Sequence, residues 1–145
     1  MAAIWHGGTF PIEAFNEFAK GCLNGHLGME ILEAGDDWIR ARMPVDERTK
    51  QPFGLLHGGA SVALAETLAS QGAFATLDPH KKAAVGMEIN ANHLRPVTGG
   101  WVYGEARPEA MGRTTQVWTI RITNEQGKLV CLSRCTMAIV DQKRE

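Results

Sequence analysis

One run of residues, 55–77, constrains the fold more than any other part of the chain. It is rich in alanine, it is compatible with a helix, and Glu66 is its only formally charged residue. Its length approaches that of a bilayer span, but Ala and Gly outnumber Leu and Ile in it, and it contains His57 and Gln71. The sequence therefore predicts one long helix in a protein core, covered on most sides, and no insertion into a membrane.

The segments around this helix predict a shorter helix and six strands. Apolar residues in the segment 11–23 recur at steps of three and four, which is the spacing of an amphipathic helix. Period-two alternation predicts strands near residues 26–33, 37–45, 83–89, 101–106, 116–122 and 129–140, with Val85, Met87 and Ile89 on one side of the third. Short turns make neighbouring strands antiparallel. This order predicts a single α+β domain over residues 1–145 with the hotdog fold, a curled antiparallel sheet of about six strands wrapped around one long central helix.

Charge and cysteine content exclude several functional classes. Fifteen Lys and Arg residues against 16 Asp and Glu residues leave a net charge of −1, too little for a general binder of nucleic acid or anionic membranes. The three cysteines are an odd number and do not indicate a disulfide framework, and no metal-binding motif is present. The first residues do not resemble a secretory signal, so we expect a cytoplasmic protein. A single wrapped sheet leaves a face or an edge without a partner, which favours a homo-oligomer.

Glu66 is the first candidate for chemistry. Burying a carboxylate on an apolar helix costs several kcal/mol unless the group is paired or neutral. A general base or nucleophile would justify that cost, and a core glutamate satisfied by hydrogen bonds or an arginine is the alternative. Ser70 lies four residues later on the same helical face, where it could orient water or substrate, or bond back to the preceding turn.

The start of the long helix is the second candidate. Gly58 and Gly59 would allow close backbone approach, and free N–H groups at a helix start stabilise a developing oxyanion. The alternative is a glycine pair that only permits tight packing or a turn. Gln51 and His57 could position a reacting carbonyl or a leaving group, although such residues are more often structural.

The spacing of Gly58 and Glu66 predicts how a complete site is assembled. Eight residues on one helix correspond to about 12 Å along its axis, so the two groups cannot both contact one carbonyl. If both are catalytic, the site combines Gly58 of one subunit with Glu66 of another. The argument requires that the helix begin at or near Gly58.

Several polar residues near strand ends could bind phosphate groups. His93 and Arg95 follow one predicted strand, and Arg113 follows a turn at Gly112. A solvated sheet edge that discourages aggregation is the alternative for each of them.

Three segments resemble the hotdog-fold acyl-CoA thioesterases of the PaaI-like group. They are QPFGLLHGGASVALAET, MEINANHLRP and residues 108–113. The resemblance implies that Glu66 acts as nucleophile or general base on the thioester carbonyl and that the Gly58 N–H polarises it. It further implies that Gln51 and His57 hold the thioester and that Ser70 helps to place the hydrolytic water. His93, Arg95 and Arg113 are then candidates for binding the CoA nucleotide.

The resemblance also implies the partners of the chain. The substrate would be an acyl-CoA, with an aromatic acyl group as first choice, or an acylated carrier protein. CoA is then part of the substrate, and no separate cofactor is expected. The family's sites are shared between subunits in a dimer of dimers. Two alternatives stay open at this point, a hotdog dehydratase of 3-hydroxyacyl thioesters and a non-catalytic acyl-CoA-binding module.

Overall fold

A six-stranded antiparallel sheet dominates the computed structural model, which describes residues 1–143. Its strands are β1 (Glu30–Ala34), β2 (Ile39–Pro44), β3 (Lys82–His93), β4 (Trp101–Met111), β5 (Thr115–Thr123) and β6 (Leu129–Asp141), in the order β1-β2-β4-β5-β6-β3. Three helices, α1 (Ile12–Phe18), α2 (Leu23–His26) and α3 (Gly58–Ala75), complete the chain. The predicted hotdog fold is confirmed. The last two residues of the predicted domain 1–145 lie outside the described part of the chain.

Small residues allow the sheet to curl closely around α3. A Cβ atom at Gly72 would come within 2.8 Å of the Trp118 ring, so glycine lets that buried ring lie against the helix. Leu64 and Leu68 are completely buried on the same side of α3, and each contributes about 1.5–3 kcal/mol through burial of its side chain. The sheet therefore holds α3 firmly along the face that carries these residues.

The long helix begins at Gly58, three residues after the start of the predicted run 55–77. It ends at Ala75, two residues before the end of that run. Leu56 pairs with Lys50 in an isolated β-bridge, which keeps this part of the chain extended. His57 is also extended, with φ −68° and ψ 129°, and its Nδ1 atom accepts a hydrogen bond from the N–H of Gly59 at 2.7 Å. His57 is thus the N-cap, and Gly58 is the first residue of the helix.

The N-terminal segment differs from the single helix predicted over residues 11–23. It forms two short helices because Gly21, with φ +76°, reverses the chain between them. The second helix also takes up residues 23–26, so β1 begins at Glu30 rather than at residue 26. Phe15 of α1 is buried and meets Phe74 of α3 edge to face, at 6.1 Å between ring centroids. The segment therefore covers one side of the central helix.

Strand β3 forms one edge of the sheet and pairs only with β6 among residues 1–143. A bulge between Gly86 and Glu88 interrupts the alternation there, so the prediction that Val85, Met87 and Ile89 lie on one side of the strand is wrong. Val85 is 53% exposed and Met87 is 63% exposed. The longest apolar edge of the sheet is left open in the isolated chain.

Cys131 and Cys135 lie buried on β6 as free thiols. Burial, together with the nearby negative charges of Glu66 and Glu88, raises the pKa of Cys135 to about 11. This thiol is therefore protonated at neutral pH and is not a nucleophile.

No helix within residues 1–143 has both the length and the apolar character needed to cross a membrane.

Candidate active site

A cavity of about 420 Å³ lies at the N-terminal end of α3. It brings together four of the residues that the sequence singled out: Gln51, Gly58, His93 and Arg95. Apolar residues complete its wall, among them Leu55, Leu56, Leu94 and Val130. A polar end of a helix thus opens into a pocket with an apolar wall and a basic side chain at its margin.

Gly58 contributes a free backbone donor to this cavity. Its N–H has no hydrogen-bond partner within residues 1–143, whereas the N–H groups of Gly59, Ala60 and Ser61 all bond to His57. A Cβ atom at position 58 would lie 2.9 Å from Nε2 of His93, so glycine also lets that ring lie against the helix start. The free N–H and the positive end of the helix dipole together form an electrostatic site for a carbonyl oxygen.

Gln51 is held in a defined orientation. Its Oε1 atom accepts a hydrogen bond from the N–H of Phe53 at 2.5 Å, and the backbone N–H of Gln51 bonds to Leu55 O at 2.8 Å. Because the oxygen is engaged, the side-chain NH₂ is the group left to act in the cavity, and an NH₂ is a donor. Gln51 is therefore suited to donate to a carbonyl.

His57 lies outside the lining of the cavity that contains Gly58. Its side chain is exposed, does not line the cavity of Gly58, and caps α3 through Nδ1. Acceptance of the Gly59 N–H by Nδ1 places the ring proton of the neutral imidazole on Nε2. In one chain His57 therefore orients the helix start, and contact with the substrate stays a prediction.

Glu66 lies in a second space, a groove of about 500 Å³ along the exposed face of α3. Ser70 lines the same groove, as its spacing predicted. The expectation that Glu66 is buried is wrong for the single chain, where the residue is half-buried because the sheet leaves this face of the helix uncovered. Its carboxylate has neither an ion pair nor a hydrogen bond to any of residues 1–143.

Gly86, which the sequence analysis did not single out, makes room for this carboxylate. A Cβ atom at position 86 would lie only 2.7 Å from Oε1 of Glu66. Gly86 belongs to the edge strand β3, at the bulge. The unpaired carboxylate therefore rests against the open edge of the sheet, and only a glycine inside a strand pattern could have indicated such a close approach.

Ser70 does not bond back to the preceding turn, the structural alternative considered for it. Its hydroxyl oxygen lies 3.9 Å from Sδ of Met137, a weak contact. The hydroxyl is thus available beside Glu66 to bind water or substrate.

Arg113 lies far from the other two basic candidates. The next residue, Thr114, accepts a hydrogen bond from the N–H of Ile139, near the end of β3 that begins at Lys82. His93 is at the opposite end of that strand. Within one chain Arg113 is therefore separated from His93 and Arg95, because β4 carries it to the other end of the sheet, and binding of CoA by the three residues stays a prediction.

The helix start at Gly58 meets the condition on which the spacing argument depends. Gly58 and Glu66 lie on one continuous helix, about 12 Å apart along its axis, and they open into different spaces. One described chain does not place the donor and the carboxylate on a common substrate atom.

Within residues 1–143, no group of three or more His, Cys, Asp or Glu side chains is arranged to hold a metal ion.

The hotdog fold, the free N–H at the start of the central helix and the unpaired carboxylate further along it define the class of the hotdog thioester hydrolases. The model of the Thioesterase superfamily matches residues 53–131, and the chain belongs to this family. It is therefore a thioester hydrolase, as predicted.

Individual relatives match nearly the whole chain. The 1,4-dihydroxy-2-naphthoyl-CoA hydrolase of Escherichia coli is 48% identical over 137 residues, which are 94% of this chain and 99% of that protein. The proofreading thioesterase EntH of Cronobacter turicensis is 49% identical over 129 residues, 89% of this chain and 93% of that protein. A crystal structure of a thioesterase from Haemophilus influenzae, 48% identical, superposes with a TM-score of 0.93 and covers 98% of each chain.

Proposed function

We propose that this protein hydrolyses acyl-CoA thioesters, preferably those with an aromatic acyl group, in a site shared between two subunits. The proposal rests on two groups of the central helix. The backbone N–H of Gly58 has no hydrogen-bond partner among residues 1–143, and the carboxylate of Glu66 has neither an ion pair nor a hydrogen bond there. The aromatic preference is supported by the 48% identity to a relative named as a 1,4-dihydroxy-2-naphthoyl-CoA hydrolase.

The chemistry follows from these two groups. The thioester carbonyl oxygen accepts hydrogen bonds from the Gly58 N–H and the Gln51 amide, which stabilise the negative charge that develops on it. Glu66 takes a proton from a water molecule, and the oxygen of that water forms a bond to the carbonyl carbon. The C–S bond then breaks, and the CoA thiolate takes up a proton as the free acid leaves.

Glu66 has a second route to the same products. Its carboxylate can attack the carbonyl carbon directly and form a mixed anhydride as CoA leaves, and water then hydrolyses the anhydride. Ser70, beside Glu66 in the groove, helps to place the water in both routes.

The open edge of β3 supports the assembly that this chemistry needs. A long exposed edge with apolar side chains is a template for pairing with another strand, and a second copy related by a two-fold axis would pair antiparallel. Pairing centred between Ile89 and Asn90 would set His93, which touches Gly58, opposite Gly86 of the second copy. Because Gly86 touches Glu66, the donor of one subunit would then meet the carboxylate of the other.

Binding of the CoA nucleotide is assigned to the basic groups at the rim. His93 and Arg95 line the cavity that contains Gly58, where they can contact phosphate oxygens. Arg113 of the second copy would lie near His93 and Arg95 of the first, because antiparallel pairing brings opposite ends of the two sheets together. An acylated carrier protein would present the same thioester, and a further association of two dimers is the proposed complete assembly.

The exchange Glu66→Gln tests the proposal. It keeps the size of the side chain and removes the base and nucleophile, so we expect thiol release from benzoyl-CoA to fall by about 10²–10⁴-fold, the usual contribution of such a group. Glu109→Gln, the same exchange at an exposed position of β4, is the control and should keep full turnover. Equal turnover by both variants would show that Glu66 has no catalytic role.

A further inference from the structure

Ser61 has a hydroxyl group whose hydrogen bonding is unusual in this protein. Within residues 1–143, four polar residues are buried: Thr49, Ser61, Gln116 and Ser133. The side chains of the other three form hydrogen bonds to backbone or side-chain atoms. The hydroxyl of Ser61, a residue only 1% exposed, bonds to none of residues 1–143. Buried polar groups in folded proteins are nearly always paired, so this exception needs an explanation.

The start of α3 explains why the hydroxyl does not bond back to its own helix. A helical serine commonly donates to the carbonyl oxygen four residues earlier, which here belongs to His57. That oxygen already accepts hydrogen bonds from the N–H groups of Ala60 at 3.0 Å and Ser61 at 3.2 Å. A carbonyl oxygen has two lone pairs, so both are occupied. The hydroxyl hydrogen of Ser61 is therefore left for another acceptor.

The cavity at the N-terminal end of α3 is the space in which this hydroxyl can find one. Ser61 lines the cavity together with Gly58. The two residues share one face of the helix and are three positions apart, about 4.5 Å along its axis. The Gly58 N–H points out of the helix start, away from Ser61. The hydroxyl therefore reaches a different atom of a bound substrate from the carbonyl oxygen that Gly58 holds.

The lining of this cavity suits the pantetheine arm of CoA. In the proposed function, His93 and Arg95 at the margin bind the nucleotide and Gly58 binds the thioester, so the arm between them crosses the cavity. Apolar residues that accommodate the hydrocarbon part of the arm include Leu55, Leu94 and Val130. An amide group of the arm loses water beside such a wall and needs a hydrogen-bond partner from the protein.

We propose that Ser61 binds the pantetheine arm by donating a hydrogen bond to the carbonyl oxygen of the amide nearest the thioester sulfur. The inference rests on the proposed function, because it requires a thioester whose carbonyl oxygen is held by Gly58. Two methylene groups separate the sulfur from this amide, which is the first polar group beyond the thioester. Ser61 thus recognises the thiol and not the acyl group. It acts equally on CoA and on an acylated carrier protein, because both present this arm.

The first test uses two small thioesters that differ only in this amide. S-benzoyl-N-acetylcysteamine contains it, whereas two methylene groups replace its NH and CO groups in S-pentyl thiobenzoate. Values of kcat/KM are measured for both compounds with the wild-type enzyme and with Ser61→Ala. We expect the amide-to-pentyl ratio to be about 10-fold higher in the wild type, the worth of one hydrogen bond. Equal ratios in the two enzymes, or a wild-type ratio of 1 or less, would overturn the proposal.

Ser133→Ala is the matched control. It makes the same exchange at a residue that is 2% exposed, lies outside the cavity and donates its hydroxyl to Asn90 O at 2.8 Å. A ratio between two substrates does not depend on the amount of active enzyme, so this variant should keep the wild-type ratio. Its Tm should fall because it loses a hydrogen bond, whereas Ser61→Ala loses none and should keep its Tm. A lower Tm for Ser61→Ala with an unchanged ratio would show that the hydroxyl is only structural.

Benzoyl-CoA provides the decisive substrate if the small thioesters are not turned over. A bond to the arm is made equally in the ground state and the transition state, so Ser61→Ala should raise KM by about 10-fold and leave kcat close to the wild-type value. An unchanged KM would refute the assignment. Failure of the proposed function looks different, because the wild type would then release no thiol from benzoyl-CoA. Failure of this inference alone leaves wild type and Ser61→Ala equally active.

Discussion

The backbone donor at Gly58 can be removed without removing a side chain, which makes it the sharpest point at which to test the mechanism. Gly58→Pro replaces the N–H by a ring carbon, and the local structure tolerates proline there. Gly58 is the first residue of α3, where proline is favoured. His57 has φ −68° and ψ 129°, in the region that a residue before proline must occupy. The exchange should therefore leave the helix intact.

The matched control is Gly58→Ala. Alanine and proline both add a Cβ atom 2.9 Å from Nε2 of the exposed His93 ring, which must turn aside in either variant. Only proline removes the donor. Loss of one oxyanion donor lowers kcat by about 10²–10³-fold, equivalent to about 2.7–4 kcal/mol. We expect a loss of this size for proline relative to alanine.

The measurement is steady-state release of thiol from benzoyl-CoA, with inhibition by free CoA as a readout of binding. The donor acts on the charge that develops during reaction, so kcat should fall while the inhibition constant for CoA stays close to that of Gly58→Ala. Thermal unfolding of both variants establishes that they are folded. Equal kcat values for proline and alanine would refute the argument that the Gly58 N–H polarises the carbonyl.

Three further outcomes are expected. Mixing a Gly58→Pro chain with a Glu66→Gln chain should restore activity in hybrid dimers, since each hybrid has one site with both groups intact; no recovery after subunit exchange would contradict the shared site. Met87→Asp, which puts a charge on the open edge of β3 where Met87 is 63% exposed, should lower the solution mass to that of one chain and abolish turnover; an active monomer would contradict the edge pairing. A thiol reagent at neutral pH should modify only the exposed Cys22 of the native protein, because Cys135 is buried and its pKa is raised to about 11; rapid modification of a second thiol would show that β6 opens.

The fold was predictable from the sequence because its main signals are local. The apolar run with a single charge specified the central helix, and alternation specified strands whose turns are short enough for antiparallel pairing. The break at Gly21 and the bulge at Gly86 were missed, since a lone glycine in a periodic segment does not state which backbone conformation it adopts. Helix length was overestimated at the start because the bridge between Lys50 and Leu56 depends on chain folding outside the helix.

The candidate site was predictable only in part. The separation of Gly58 and Glu66 followed from helix geometry and a single spacing. The position of Arg113 could not be deduced in this way, because it depends on how far β4 and β5 run before they turn. The unpaired hydroxyl of Ser61 was also beyond the sequence, since a polar residue in an apolar helix does not show whether its partner exists. Spacing along one element could thus be predicted from the sequence, whereas contacts between side chains of different elements could not.

The open edge of β3 also has a consequence for how the enzyme responds to its own concentration. In the proposed assembly, each site exists only while two edges remain paired, so the number of sites follows mass action between chains. Activity per chain would then decline on dilution below the dissociation constant of the pair, and substrate that contacts both subunits would oppose that decline. The strength of pairing at the edge of β3 thereby also sets the protein concentration below which most chains lack a complete site.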